Sequence, residues 1–250
     1  MENANLPNFV VLDSVYGKFI VNRYCFYQAE ALIKTGKTHI EHELEKIFRL
    51  LERLPEESVI IDGGTNIGFF TIPVASKTRH RGFKLIGFEP QRQIYYALAG
   101  SLALNDFDHC HLYNLGLSDR SGAAGLPAVD YSKNADFGLV AIAQKEGGAA
   151  KDYLDDKTVP TVAIDEMNLP RVDFIKLDVE GHELQAIKGA METIRKYRPL
   201  LWVEYFLVGF DNVKACFDGV EGYAHFVMDK QNMLCAPSEK LAAMGVEITY

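Results

Sequence analysis

Three short stretches of the chain combine residue types and spacings that could do chemistry. In Asp62-Gly63-Gly64-Thr65-Asn66-Ile67-Gly68, an acidic residue precedes glycines spaced as Asp-x-Gly-x-x-x-Gly. Glycines let the backbone turn tightly and approach a ligand, and a helix opening there offers free N–H groups. The residue two beyond Gly64 is Asn66, so the dinucleotide spacing Gly-x-Gly-x-x-Gly is not met. The leading carboxylate suits a ligand with an ammonium group better than a pyrophosphate, which favours S-adenosylmethionine over a nicotinamide. In the second stretch, the apolar run Lys84 to Phe88 ends in Glu89-Pro90. A carboxylate at such a strand tip can take both ribose hydroxyls of an adenosine, and Pro90 keeps the chain out of helix there. The third stretch runs from Val172 to Glu183. Asp178, Glu180, His182 and Glu183 crowd the end of a predicted central strand, where ligands of open parallel sheets bind. The same residue types also serve as helix caps. Lys176, inside the strand, needs a partner if it is buried.

These residues need a scaffold, and the patterning predicts one. Phe9 to Val21 alternates apolar and polar residues around Tyr16-Gly17, as a hairpin does. Ile40, Leu44, Ile47, Phe48, Leu51 and Leu54 recur at helical spacing and Pro55 ends the run. From Ser58 onward, short apolar runs alternate with helical ones. Strands are expected at 59–61, 85–88, 111–117, 174–177 and 200–203, and helices at 69–76, 95–104 and 183–197. Alternation of this kind gives a mostly parallel sheet covered on both faces. The segments 224–228, 233–235 and 246–250 suggest antiparallel strands closing one edge. Arg120 to Thr158, rich in Gly and Ala, lacks clear periodicity and reads as an inserted excursion that could act as a flap. The expected organisation is an N-terminal hairpin and amphipathic helix, 1–57, packed on a core of 58–250 with an inserted loop at about 120–158.

Composition narrows the classes. The 250 residues suit one sizeable core, and no apolar stretch is long enough to span a bilayer. The polar start, Met1 to Asn8, lacks the pattern of a secretory signal, so a cytoplasmic protein is expected. Twenty-six Lys and Arg against 34 Asp and Glu give a net charge of −8, which disfavours a nucleic-acid partner. The four cysteines are far apart, include no Cys-x-x-Cys pair and signal neither zinc nor redox chemistry.

The motifs in their order resemble the FkbM family of S-adenosylmethionine-dependent methyltransferases. The resemblance rests on Ile61 to Gly68, Phe88-Glu89-Pro90, Leu104-Asn105, Leu117-Ser118-Asp119, Thr161 to Asp165 and Ile175 to Glu183, and continues through Gly189-Ala190, Pro199 with Glu204, and Gly222-Tyr223. Gly63 and Thr65 stand where the family usually has Val and Ala, and His182 where it often has Ala. The resemblance implies a Rossmann-like class I methyltransferase fold of seven strands, mostly parallel with an antiparallel edge strand. It also implies O-methylation of a saccharide, glycoconjugate or natural-product hydroxyl. Cofactor contacts are then expected from Asp62, Gly64, Asn66, Gly68, Glu89, Pro90, Leu117, Ser118 and Asp178.

A hydroxyl is a poor nucleophile at neutral pH, so a base or a metal must help it. Asp178, Glu180, His182 and Glu204 are the candidates, and Asp178 with Glu204 could hold Mg²⁺ through hard oxygen ligands. A nicotinamide-dependent sugar oxidoreductase or epimerase is the competing enzyme reading, but it would want the dinucleotide spacing and a Tyr-x-x-x-Lys pair. A non-catalytic cofactor-binding protein of the same fold is the other alternative. A base-modifying nucleic-acid methyltransferase would carry Asn- or Asp-Pro-Pro-aromatic where this chain has Asp178-Val179-Glu180-Gly181.

Overall fold

A computed structural model describes residues 7–144 and 158–244. The strand expected at 246–250 and Gly147-Gly148 of the excursion lie outside the described residues. The chain begins with the hairpin β1 (Phe9–Ser14) and β2 (Gly17–Asn22), then α1 (Phe26–Thr35) and α2 (Glu41–Leu51). There follow β3 (Val59–Gly63), α3 (Thr71–Thr78), β4 (Lys84–Phe88), α4 (Arg92–Leu104) and β5 (Cys110–Tyr113). β6 (Gly116–Leu117) precedes the excursion, which contains β7 (Gly122–Gly125) and β8 (Ala143–Gln144), and β9 (Thr158–Val162) closes it. The second half runs β10 (Phe174–Leu177), α5 (Glu183–Lys188), α6 (Met191–Tyr197), β11 (Leu200–Glu204), α7 (Phe210–Ala215), β12 (Tyr223–Val227), β13 (Asn232–Pro237) and α8 (Ser238–Met244).

Seven strands form the central sheet in the order β12-β13-β11-β10-β3-β4-β5. β11, β10, β3, β4 and β5 are parallel, and β13 is antiparallel to both of its neighbours. The reversed strand thus lies one place in from the edge, and β12 at the edge runs with the majority. This is the Rossmann-like class I methyltransferase fold. Strand periodicity of two sorts the apolar side chains onto two faces. Ile60, Phe174, Leu200 and Trp202 pack with Leu44, Ile47, Ile72 and Leu98, under α2, α3 and α4. Their sequence neighbours Ile61, Ile175, Leu201 and Val203 pack with Ile187, Ile194 and Val213, under α5, α6 and α7. Chain order runs outward from β3 through β4 to β5 and then returns to β10 on the other side of β3. The loops after β3 and β10 therefore part at the point where the winding direction reverses, and a crevice opens there.

The hairpin is tied to α4 by Asn105, whose Oδ1 accepts from Lys18 N at 2.8 Å and whose Nδ2 donates to Lys18 O at 2.8 Å. Ile20 N also donates to Ser101 Oγ at 2.8 Å.

Four local readings are corrected. The expected strand 111–117 is broken because Asn114 Nδ2 turns to donate to the carbonyls of Glu89 and Pro90, at 2.7 and 3.0 Å. β6 then joins a second sheet, β6-β9-β7-β8, and β7 makes the start of the excursion paired strand despite its Gly and Ala content. The expected helix 183–197 is interrupted at Gly189, where a Cβ would come within 2.0 Å of Ser118 O. Asp165 caps the new start, accepting from Glu192 N and Thr193 N at 2.9 and 2.7 Å. Helix α1 was not expected, because Phe26, Tyr27 and Ile33 are 67%, 60% and 66% exposed and blur its apolar stripe.

Candidate active site

The loops after β3, β4 and β10 meet at this crevice. Gly64 N and Thr65 N both donate to Phe88 O at 3.0 Å, and Asp178 N donates to Gly63 O at 3.1 Å, so the three strand ends are fixed together. Gly64 has φ +80°, and a Cβ there would lie 1.8 Å from Asp178 O, a contact only glycine permits. Asn66 also sits at positive φ, 49°, as its short polar side chain tolerates. Glu89 is 3% exposed; its Oε2 accepts from Asn66 N at 2.9 Å and its Oε1 from Gln91 N at 2.8 Å. A carboxylate oxygen has two lone pairs, so each can still accept a ligand hydroxyl. Burial raises the Glu89 carboxyl to about 7, against the two backbone N–H groups that favour its charge.

Two cavities adjoin at these loops. The narrower, about 70 Å³, has Glu89 and Gln91 as polar groups and Phe88, Pro90, Leu115, Leu117, Val140 and Ile142 as apolar wall. The larger, about 510 Å³, is ringed by Glu43, Asp136, Asp178, Glu180, Glu204 and Asp229, with Lys176 and Lys230 as its lysines. Gly64, Asn66, Gly138, Asp178 and Glu180 border both, so one chamber opens into the other.

Lys176 organises the floor. Its Nζ is 3.0 Å from Asp178 Oδ2 and 4.0 Å from Asp62 Oδ1, and the side chain is 5% exposed. Burial works to lower its pKa, but the attraction of Asp178, Asp62 and Glu43 outweighs it and holds the ammonium above its ordinary value. Burial, reinforced by like charges, raises Glu43 and Glu180 to about 7 and Glu204 to about 8.

The structure brings Gly64, Asn66, Glu89, Pro90, Leu117, Asp178, Glu180 and Glu204 to the cavity walls and sets the other expected residues behind them. Asp62 faces α3, where its Oδ2 accepts from Thr71 Oγ1 at 2.5 Å; its buried Oδ1 has no hydrogen-bond partner among the described residues. Gly68 lets α3 approach α4, since a Cβ would meet Leu98 Cδ1 at 2.5 Å. His182 and Ser118 are 5% and 3% exposed and lie 3.2 Å apart, Nε2 to Oγ, away from both cavities. His182 is therefore turned from the crevice, and burial lowers its pKa. Glu183 ties its own loop, accepting from Val179 N at 2.9 Å and Gly181 N at 3.2 Å. Among the described residues no group of three or more His, Cys, Asp or Glu side chains is placed to share a metal ion, and Asp178 is already engaged by Lys176. The sequence did not single out Gln91, Gly138, Val140 and Ile142 on the narrow cavity, nor Tyr27, His39, His42, Glu43 and Asp136 on the wide one. Gln91 directly follows Glu89-Pro90; no motif marks the others, because they reach the crevice through the packing of α1, α2 and the excursion.

The sequence model of the Methyltransferase FkbM domain matches residues 62–232. Methyltransferase sdnD of Sordaria araneosa is 30% identical over 167 residues, 57% of this chain and 64% of that protein. Methyltransferase 1 of Beauveria bassiana (strain ARSEF 2860) is 23% identical over 179 residues, 60% and 65% of the two chains. The crystal structure of methyltransferase FkbM from Methylobacillus flagellatus KT aligns at a TM-score of 0.49 and 19% identity, covering 72% of this chain and 43% of that one. The aligned part of the chain thus spans less than two thirds of these relatives' own length. Among the described residues no helix is long and apolar enough to cross a membrane.

Proposed function

The chain belongs to the FkbM methyltransferase family, and from that premise we propose that it transfers a methyl group from S-adenosylmethionine to a hydroxyl of a saccharide, glycoconjugate or natural product. The observation that carries the reading is the junction of the two cavities at Gly64, Asn66, Asp178 and Glu180. The lining of the narrow cavity, rather than its present volume, suits the nucleoside end of the donor. Glu89 offers its remaining lone pairs to a ribose, and Leu115, Leu117, Val140 and Ile142 form an apolar slot for a flat base. The acidic junction suits the donor's positive sulfonium and ammonium groups. Val140 and Ile142 come from the excursion, which supports its reading as a flap over the ligand.

The bound donor would supply an electrophilic methyl group at the mouth of the wide cavity. The protein's own part is to align an acceptor oxygen in line with it and to take up the proton that oxygen loses. Glu180 and Glu204 line the wall where that oxygen would lie. A small-molecule acceptor rather than nucleic acid accords with the acidic wall of the wide cavity, where Asp136, Asp178 and Asp229 would repel phosphates.

The test is transfer of labelled methyl from S-adenosyl-[methyl-³H]methionine to a panel of methyl hexosides and alcohol-bearing natural products, with and without EDTA. Transfer to oxygen, unaffected by EDTA, is expected, since the Asp178 carboxylate is already held by Lys176. The excess of carboxylates over lysines in the wide cavity favours one second reading, an amine acceptor; identification of an N-methyl product would select it.

A further inference from the structure

The wide cavity contains an imidazole that no motif marks. His39 lies in the connection between α1 and α2, outside the residues matched to the family domain, and lines the cavity together with Asn66, Asp178, Glu180 and Glu204. Aromatic packing orients its ring. Its centroid is 4.7 Å from that of Phe69 in an edge-on arrangement at 89°, and 5.0 Å from that of Tyr27. Phe69 is itself buried. Among the described residues neither ring nitrogen has a hydrogen-bond partner, so positioning does not consume the groups that could meet a ligand.

We propose that His39 is the general base of the reaction, taking the acceptor's hydroxyl proton on the ring nitrogen that faces the cavity. The inference rests on the reading of the site as an O-methyltransferase. In the step, the O–H bond breaks toward His39 as the oxygen bonds to the methyl carbon. The carbon–sulfur bond breaks with its electron pair on sulfur, which leaves a methyl ether, S-adenosylhomocysteine and an imidazolium that returns its proton to solvent through the cavity.

The electrostatics suit the task. His39 keeps an exposed edge on the cavity; desolvation of the rest of the ring lowers its pKa, while the charges of Asp136 and Asp178 work the other way and stabilise the imidazolium once formed. The other groups facing the chamber are His42 and Glu43 from α2, Lys176 and Glu180 beside the end of β10, Glu204 from β11, and Asp229 and Lys230 from the turn between β12 and β13. Glu204, raised to about 8, holds its proton at pH 7 and is the weaker candidate for a base. His182 is enclosed with Ser118 away from the chamber. His42 shares the wall, but among the described residues no ring packing orients it.

The experiment compares wild type with His39→Asn, His42→Asn and Glu180→Gln. The readouts are methyl transfer to the methyl hexoside that wild type uses best, S-adenosylhomocysteine affinity by calorimetry, and imidazole titration by NMR of the ligand-free protein. For His39→Asn, kcat should fall about 100- to 10,000-fold. Its S-adenosylhomocysteine affinity should stay within about twofold, and its acid limb should be lost. In wild type, the resonance missing from the His39→Asn spectrum should titrate below the ordinary value of 6.5. Added imidazole should restore part of the activity of His39→Ala. A wild-type rate and pH profile in His39→Asn overturns the assignment, as does loss of the acid limb in His42→Asn or Glu180→Gln instead. Wild-type protein that methylates no hydroxyl, or only nitrogen, overturns the O-methyltransferase reading, and the base assignment falls with it.

Discussion

A Cβ on Gly64 would lie 1.8 Å from the carbonyl oxygen of Asp178, so the ends of β3 and β10 are in contact through backbone alone. Gly64→Ala must push these strand ends apart and also hold alanine at φ +80°. The backbone penalty alone is on the order of 1–3 kcal/mol. Urea unfolding should show at least that loss, and S-adenosylhomocysteine binding should be abolished because both cavities share this corner.

Lys176 neutralises two carboxylates at the floor of the site. Lys176→Met leaves Asp62 and Asp178 without their cation, and removing one member of a buried pair costs about 3–5 kcal/mol. Asp62, 1% exposed, should account for most of that loss. The double variant Lys176→Met with Asp62→Asn should recover much of the stability by denaturant titration; a strictly additive double variant would refute the pairing.

Glu89 secures its own loop and faces the narrow cavity. Glu89→Ala should weaken S-adenosylhomocysteine binding by about 2–4 kcal/mol, the range for a buried charged partner. Calorimetry showing unchanged affinity would remove Glu89 from the donor site.

Stability should fall as pH rises through neutrality. Burial holds protons on Glu43, Glu180 and Glu204 up to about 7, 7 and 8, whereas the unfolded chain releases them near 4.5. Between those values the folded state binds more protons, so their contribution to stability declines with increasing pH. His39, His182 and His225, lowered by burial, act oppositely below 6.5, so the comparison belongs above it. Tm should be higher at pH 6.5 than at pH 8.5, and Glu204→Gln should flatten that difference.

The residues named from sequence that do reach the cavity walls are those where one short segment carries both the turn and the chemistry. The Asp62 to Gly68 loop, Glu89-Pro90 and the end of β10 all follow buried strands, and Lys176 announced itself by being a lysine there. Asp62 and His182 were placed in the right region but given the wrong facing, because strand and cap geometry direct them behind the loops. His39, Glu43 and Gly138 were invisible, since each reaches the crevice through packing between distant segments. The same holds for the break at Gly189, forced by the carbonyl of Ser118, and for β7, whose glycines and alanines form strand because β9 lies alongside.

The parallel pairing of Leu117 with Val162 brings together the two stems of the excursion. A loop whose stems are already side by side pays little entropy for extra length, about 0.6 kcal/mol for each doubling. Away from Phe137, Val129 and Tyr131, which pack in or against the main core, the insertion is therefore a place where the chain can gain or lose residues without disturbing the seven-stranded sheet. Because Gly138, Val140 and Ile142 stand on the narrow cavity, such changes of length would be felt in ligand affinity before they were felt in folding. A graft of a shorter or longer segment between the same stems that kept Phe137, which is fully buried in the main core, would thus retune the pocket while the scaffold kept its melting behaviour.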